Sequence, residues 1–222
     1  MKDVKINNTE VLKALNDYKD FIMNNDIQNN VYLQCTDEKD EGEYYTGEEY
    51  RKLIISKGEA HPGYPDIMYS FTGLMPSKNG HFNASISPPK SQKFTDASSR
   101  LNSELMQLLS AKVNTLNTVY PPGGFISWHN NANASGFNVL FSWSETGEGW
   151  FEYWDMKKQE KVRIDDVPGW QCKMGYFGPY YKPETLCYHT AYTKCWRISV
   201  GFIFEEADDI WKEVIQDIEN PI

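Results

Sequence analysis

Cys195-Trp196-Arg197-Ile198-Ser199-Val200-Gly201-Phe202-Ile203-Phe204 is the run from which the architecture is read. In an extended chain successive side chains point to opposite faces. Trp196, Ile198, Val200, Phe202 and Phe204 therefore share one apolar face, and Arg197, Ser199, Gly201 and Ile203 share the other. A strand facing water would not spend Trp196 and Phe202 on its wet side. The apolar face is expected beneath amphipathic helices, with Arg197 and Ser199 turned into a polar barrel interior. An arginine aimed inward must be paired, because an unpaired buried charge is strongly unfavourable. The sequence presents no single acidic side chain as that partner, so an anionic ligand is expected in its place.

Upstream of this run, short β-branched and aromatic stretches alternate with Gly, Pro and Asn. Strands are predicted over 115–120, 124–128, 137–143, 150–154, 161–164 and 171–177, with the last over 195–204. Short strands at this spacing indicate a β-sandwich or barrel rather than a parallel α/β sheet. Helical periodicity appears over 8–24, 46–56, 96–112 and 207–219, with Asn8 or Thr9 placed to cap the first helix. Residues 37–43 are acidic and turn-rich. Residues 59–95 are punctuated by Gly and Pro and are expected to be a long irregular surface segment of the lid or binding-loop kind. The expected organisation is one mostly β domain with packed helices (α+β) over 1–222. Residues 1–112 would be a helical, loop-rich support, 113–205 the β core, and 206–222 a closing helix.

Composition excludes several classes. At 40% hydrophobic and 14% aromatic, the 222-residue chain has enough apolar material for a core. No run approaches the roughly 18 apolar residues of a membrane helix. The polar start, Met1-Lys2-Asp3-Val4-Lys5, lacks a signal-peptide pattern, so a cytoplasmic protein of bacterial or viral kind is expected. Asp and Glu number 31 against 22 Lys and Arg, which disfavours binding of long nucleic acid. Lys157, Lys158, Lys161 and Arg163 crowd together, and the expectation is a solvated hairpin rim. Cys35, Cys172, Cys187 and Cys195 form no C-x-x-C pair, so reduced thiols are expected rather than a zinc knuckle or disulfides.

Two of the four histidines flank the predicted strands. His129 closes Tyr120-Pro121-Pro122-Gly123-Gly124-Phe125-Ile126-Ser127-Trp128-His129-Asn130-Asn131, and His189 stands eight residues before Arg197-Ile198-Ser199. Between them lie Gly147 and Gly149, then Asp166-Val167-Pro168-Gly169 leading to Phe177. This series resembles the double-stranded β-helix (jelly-roll) core of iron(II)- and 2-oxoglutarate-dependent oxygenases, nearest to the prolyl 4-hydroxylase-like branch. That branch reads Y-x-P-G-G-x-x-x-x-H-x-D, a Gly-containing turn, P-x-x-G-x-x-x-x-F, and H followed by R-x-S. The likeness covers about 85 of the 222 residues, from Tyr120 to Phe204.

The resemblance implies that His129 and His189 hold iron(II). It also implies that Arg197, with Ser199 and Tyr120, binds the far carboxylate of 2-oxoglutarate, and that ascorbate serves as reductant. A facial triad of two imidazoles and one carboxylate leaves positions open for cosubstrate and dioxygen. The i, i+2 spacing would put residues 129 and 131 on one face of a strand, with His189 closing the site across the barrel. Asn131 departs from the pattern, since the family has Asp there and an amide oxygen is a weaker, neutral donor. Asn131 ligating weakly, water filling the gap, or Glu152 or Asp155 reaching in all stay open, as does lost catalysis. The competing readings are a non-catalytic jelly-roll binding module and a cupin-like metalloprotein. His61 and His81 are read as ordinary packed or surface residues, and the aromatics of 143–154 as sheet packing. Trp128 and Tyr180-Tyr181 are candidates to line a substrate mouth. A peptidyl, nucleobase or small-molecule substrate is equally compatible, and oligomeric state is unreadable.

Overall fold

A computed structural model of the chain describes residues 1–24, 41–58, 68–72, 75–77, 91–205 and 207–221. Along the chain these form β1 (Lys2–Val4), α1 (Thr9–Asn24), α2 (Glu41–Thr46), α3 (Glu48–Lys57), β2 (Met68–Thr72), β3 (Met75–Ser77) and α4 (Ser91–Leu109). The β-rich part holds β4 (Val113–Tyr120), β5 (Phe125–His129), β6 (Gly136–Ser144), β7 (Gly149–Asp155), β8 (Glu160–Asp165), β9 (Gly169–Phe177), β10 (Tyr188–Thr193) and β11 (Arg197–Phe204). The last element is α5 (Asp208–Glu219).

The strands run in the order β1-β9-β6-β11-β4-β2-β5-β10-β7-β8, with β3 paired to β2. Neighbouring strands are antiparallel. From β4 onward the chain is shared between two sheets, β4, β6, β9 and β11 in one and β5, β7, β8 and β10 in the other, with β7 and β8 the one consecutive pair in the same sheet. β2 joins them, pairing through Phe71 and Thr72 with β4 and through Met68 and Tyr69 with β5. The passage from β4 to β5 is made by Pro121-Pro122-Gly123-Gly124. Gly123 there takes φ +81°, a conformation that favours glycine, and its N–H donates to Thr193 O at 2.8 Å.

The layers follow the alternation read from residues 195–204. Trp196, Ile198, Val200, Phe202 and Phe204 pack with Val11, Leu15 and Tyr18 of α1, Leu101, Leu105 and Leu109 of α4, and Val214 and Ile218 of α5. Burying each large aliphatic or aromatic side chain in such a layer contributes roughly 1.5–3 kcal/mol, which holds the helices to the first sheet. Asn8 caps α1: its Oδ1 accepts from Glu10 N at 2.9 Å and Val11 N at 3.1 Å. Its Nδ2 donates to Asp217 O at 2.7 Å, tying the start of α1 to the end of α5.

Several boundaries differ from the sequence prediction. β10 was not anticipated, because Tyr188-His189-Thr190-Ala191-Tyr192-Thr193 mixes polar and apolar residues and shows no simple alternation; five of its six residues are nonetheless buried. α2 occupies part of the acidic stretch, β2 and β3 interrupt the segment predicted to be irregular, and α4 begins at Ser91. β1 pairs with β9 and was also missed. The rest of the 37–43 and 59–95 readings, with Cys35, His61 and His81, falls outside the described residues. Cys172, Cys187 and Cys195 are buried free thiols. Among the described residues no helix is long and apolar enough to cross a membrane.

Candidate functional site

His129 and His189 are brought together by the second sheet. They are direct register partners on the neighbouring strands β5 and β10, and their ring centroids lie 4.1 Å apart. The site is thus closed by an adjacent strand rather than from across the barrel. The register carries an irregularity: Ala191 pairs with Ile126 and His189 with His129, so β5 spends three residues where β10 spends two. Such a bulge turns a strand's alternation. It lets Ile126 and His129 both face the cavity, while Trp128 between them points the other way.

Each ring is oriented by its own backbone. His129 Nδ1 lies 2.7 Å from Ser127 O, and His189 Nδ1 lies 2.9 Å from Cys187 O. A carbonyl can only accept, so both Nδ1 atoms carry a proton, and in the neutral rings the lone pair is left on Nε2. This is how an outer hydrogen bond fixes the tautomer of a metal-ligating imidazole. The faces of His189 are packed by Phe151 at 5.6 Å and Phe177 at 4.7 Å between ring centroids. Two nitrogen donors a few ångströms apart, set in apolar walls, suit a first-row metal ion bound at about 2 Å from each.

Asn131 lines the same cavity, but not by the route expected. β5 ends at His129, and Asn131 precedes the 3-10 turn Ala132–Ala134 with φ −109° and ψ 35°. The i, i+2 strand argument therefore fails, and a turn delivers the side chain to the cavity instead. Glu152 and Asp155 do not reach in. Glu152 is buried against Lys161 at 3.0 Å and Arg163 at 3.8 Å. Asp155 caps the β7–β8 turn, accepting from Lys157 N and Lys158 N at 3.0 Å each. Those pairs, with Lys158–Glu160 at 3.4 Å, show the basic cluster to be a charge-matched hairpin rim. Among the described residues no three of His, Cys, Asp and Glu gather into a metal-binding group.

The cavity holds about 210 Å³ and is lined from both sheets, with Tyr120, Arg197 and Ser199 joining His129, Asn131 and His189. Burial pushes the Tyr120 phenol up to about 12, against the opposing pull of the Arg197 guanidinium. The expectation that Arg197 lacks an acidic partner is overturned. Its Nε donates to Asp166 Oδ2 at 2.8 Å, Nη1 to Ser199 Oγ at 2.6 Å and Nη2 to Ser142 Oγ at 3.2 Å. In the sequence Asp166 belongs only to a Pro-Gly turn, and the fold carries it to Arg197 on β11. Lys173 on β9, also buried beside Asp166, was not singled out from the sequence either. Trp128 does not line a substrate mouth: it is buried with Tyr50, Ile54 and Tyr188, and its Nε1 donates to Thr46 O at 2.7 Å. Tyr180 and Tyr181 are exposed.

No family model matches the chain, and no curated protein matches it. Among solved structures it is similar to a prolyl-4-hydroxylase from Pseudomonas putida, with TM-score 0.34 and 14% identity over 72% of this chain and 84% of that one. A Trichoplax adhaerens prolyl hydroxylase, solved with a hypoxia inducible factor peptide fragment, gives TM-score 0.34 and 14% identity over 77% and 82% of the two chains. The viral collagen prolyl hydroxylase of Paramecium Bursaria Chlorella virus-1, solved with 2-oxoglutarate, gives TM-score 0.30 and 14% identity over 72% and 91%.

Proposed function

We propose that the chain is an iron(II)- and 2-oxoglutarate-dependent oxygenase on a double-stranded β-helix, hydroxylating a peptidyl, nucleobase or small-molecule substrate. The observation that carries this reading is the 4.1 Å approach of the His129 and His189 rings in a cavity that also contains Asn131 and Arg197. The donor set fits the metal: two Nδ1-protonated imidazoles and the amide oxygen of Asn131 would hold iron(II) on one side, more weakly than with a carboxylate. When bound there, iron(II) supplies the oxidising power that couples substrate C–H hydroxylation to conversion of 2-oxoglutarate and dioxygen into succinate and carbon dioxide.

The chain's own residues do the remaining work. Arg197 and Ser199 would bind the far carboxylate of 2-oxoglutarate by charge-assisted hydrogen bonds. The Tyr120 phenol, kept protonated by burial, can donate to the same group. Ser127 O and Cys187 O hold the imidazoles in the metal-binding tautomer. Phe151 and Phe177 exclude water beside His189.

The test is succinate production from 2-oxoglutarate with iron(II) and ascorbate, across peptidyl, nucleobase and small-molecule candidates. Iron-dependent succinate formation well above that of His129→Ala is expected. Production no faster than in that variant, with every candidate, refutes the reading. A non-catalytic jelly-roll binding module is favoured by one observation, the neutral amide where a third charged ligand would stand. Under that alternative Asn131→Asp raises metal affinity without creating turnover; under the oxygenase reading the unaltered chain already turns over.

A further inference from the structure

Behind the cavity wall three ionisable side chains meet away from water. Arg197, Asp166 and Lys173 are all buried. Asp166 divides its carboxylate between the two cations, with Oδ2 at 2.8 Å from Arg197 Nε and Oδ1 at 3.5 Å from Lys173 Nζ. The second contact is long for a hydrogen bond, and Lys173 Nζ instead donates to Gln171 Oε1 at 3.2 Å. Gly149 makes room for the carboxylate, since a Cβ there would lie 2.7 Å from Asp166 Oδ2. Two cations thus face one anion.

The other groups packed against this cluster are neutral dipoles: the Ser142 and Ser199 hydroxyls, the Gln171 amide and the Tyr120 phenol, whose ring lies 5.5 Å from the guanidinium. Asp3, the register partner of Lys173 on β1, is exposed, and water screens its charge. Burial and Arg197 together pull the Lys173 ammonium below its usual range, while Asp166 opposes them. The surplus positive charge sits next to an arginine that lines the cavity, whereas Lys173 itself does not line it.

We propose that Lys173 charges the anion subsite from behind, giving the buried Arg197–Asp166–Lys173 cluster one net positive charge that a single ligand carboxylate neutralises. Asp166 is a positioning residue in this arrangement. It holds the guanidinium by Nε and leaves to the ligand those Nη protons that Ser142 and Ser199 do not take. The subsite then selects a dicarboxylate with one end on Arg197 and accepts a neutral or cationic group poorly. The inference rests on reading the cavity as the 2-oxoglutarate site.

The experiment is calorimetric titration of the full chain with glutarate, which has the two carboxylates but no 2-oxo group to chelate a metal. It is run on the unaltered protein, Lys173→Met and Lys173→Gln. Both substitutions should fold, since Asp166 keeps Arg197 as its paired cation at 2.8 Å and no buried charge is left without a partner. Glutarate affinity should fall on the order of tenfold in each, from losing one buried unit charge near the ligand. The KM for 2-oxoglutarate should rise in parallel while kcat at saturation and iron(II) affinity stay unchanged, a split that a merely structural role would not give. Glutarate binding within twofold of the unaltered protein in either folded variant overturns the role of Lys173 even where succinate is formed. Unfolding of both variants overturns it too, since the ammonium would then be balancing Asp166 rather than a ligand. An unaltered chain that binds iron(II) but neither glutarate nor 2-oxoglutarate overturns the subsite and the cosubstrate part of the oxygenase reading together.

Discussion

Replacing Asp166 by Asn is the most searching perturbation of this barrel, because it removes a charge while keeping the shape. In the native protein its carboxylate is the acceptor for Arg197 Nε and the counter-charge of Lys173. The amide oxygen can still accept from Nε, and Ser142 and Ser199 still accept from Nη2 and Nη1. What is lost is, among the described residues, the one negative charge between two buried cations, and the surplus rises from one to two. Removing one partner of a buried pair costs about 3–5 kcal/mol, and the retained hydrogen bonds place Asp166→Asn near 3 kcal/mol by the same measure. Adding Lys173→Met returns the surplus to one, so the double variant should recover about 1–2 kcal/mol of that loss, a coupling within the range for groups in direct contact. Urea unfolding of the four proteins, followed by tryptophan fluorescence, measures the cycle. Asp166→Asn within 1 kcal/mol of the unaltered chain, or a Lys173→Met effect of the same sign and size in both backgrounds, would refute the charge reasoning.

Three further outcomes are expected. Asn8→Ala should lower stability by about 1–2 kcal/mol, since it removes the α1 cap and the bond to Asp217 O; a urea-derived loss below 0.5 kcal/mol would contradict that role. Stability should fall as pH rises from about 10 to 12, because the folded chain holds the Tyr120 phenol neutral up to about 12 while the unfolded phenol ionises near 10. The folded pKa is the higher one, so this contribution is complete below pH 10 and is lost toward pH 12, on the order of 2 kcal/mol. Melting temperatures against pH should show a shallower alkaline decline in Tyr120→Phe, and an equal decline would exclude Tyr120 as the cause. Asn131→Asp should tighten iron(II) binding about tenfold or more, read by equilibrium dialysis, because a carboxylate replaces a neutral oxygen donor; unchanged affinity would place residue 131 outside the metal's reach.

Strict alternation over 196–204 sufficed to sort the last strand, because one face is apolar without interruption and three amphipathic helices are available to cover it. Tyr120, His129, Asn131, His189, Arg197 and Ser199 were named as a set only by the resemblance, and the structure places all six around one cavity. β10 was not legible: a strand buried on both faces by polar and aromatic neighbours has no solvent side to print a period of two on the sequence. The partner of Arg197 was hidden for a different reason. Asp166 is 31 residues away, in a turn whose composition announces only a turn.

By itself, then, the amino-acid order determined the class of structure and the helical cover of the first sheet, since these follow from local periodicity and residue type, while the six polar residues at the cavity were named only through the resemblance. Tertiary structure decided the rest. The bulge in β5 sets His129 facing inward directly beside His189, a turn rather than a strand delivers Asn131, and two distant charges, Asp166 and Lys173, are gathered behind Arg197. Register and charge pairing are properties of chains already folded against one another, and no single stretch of sequence contains them.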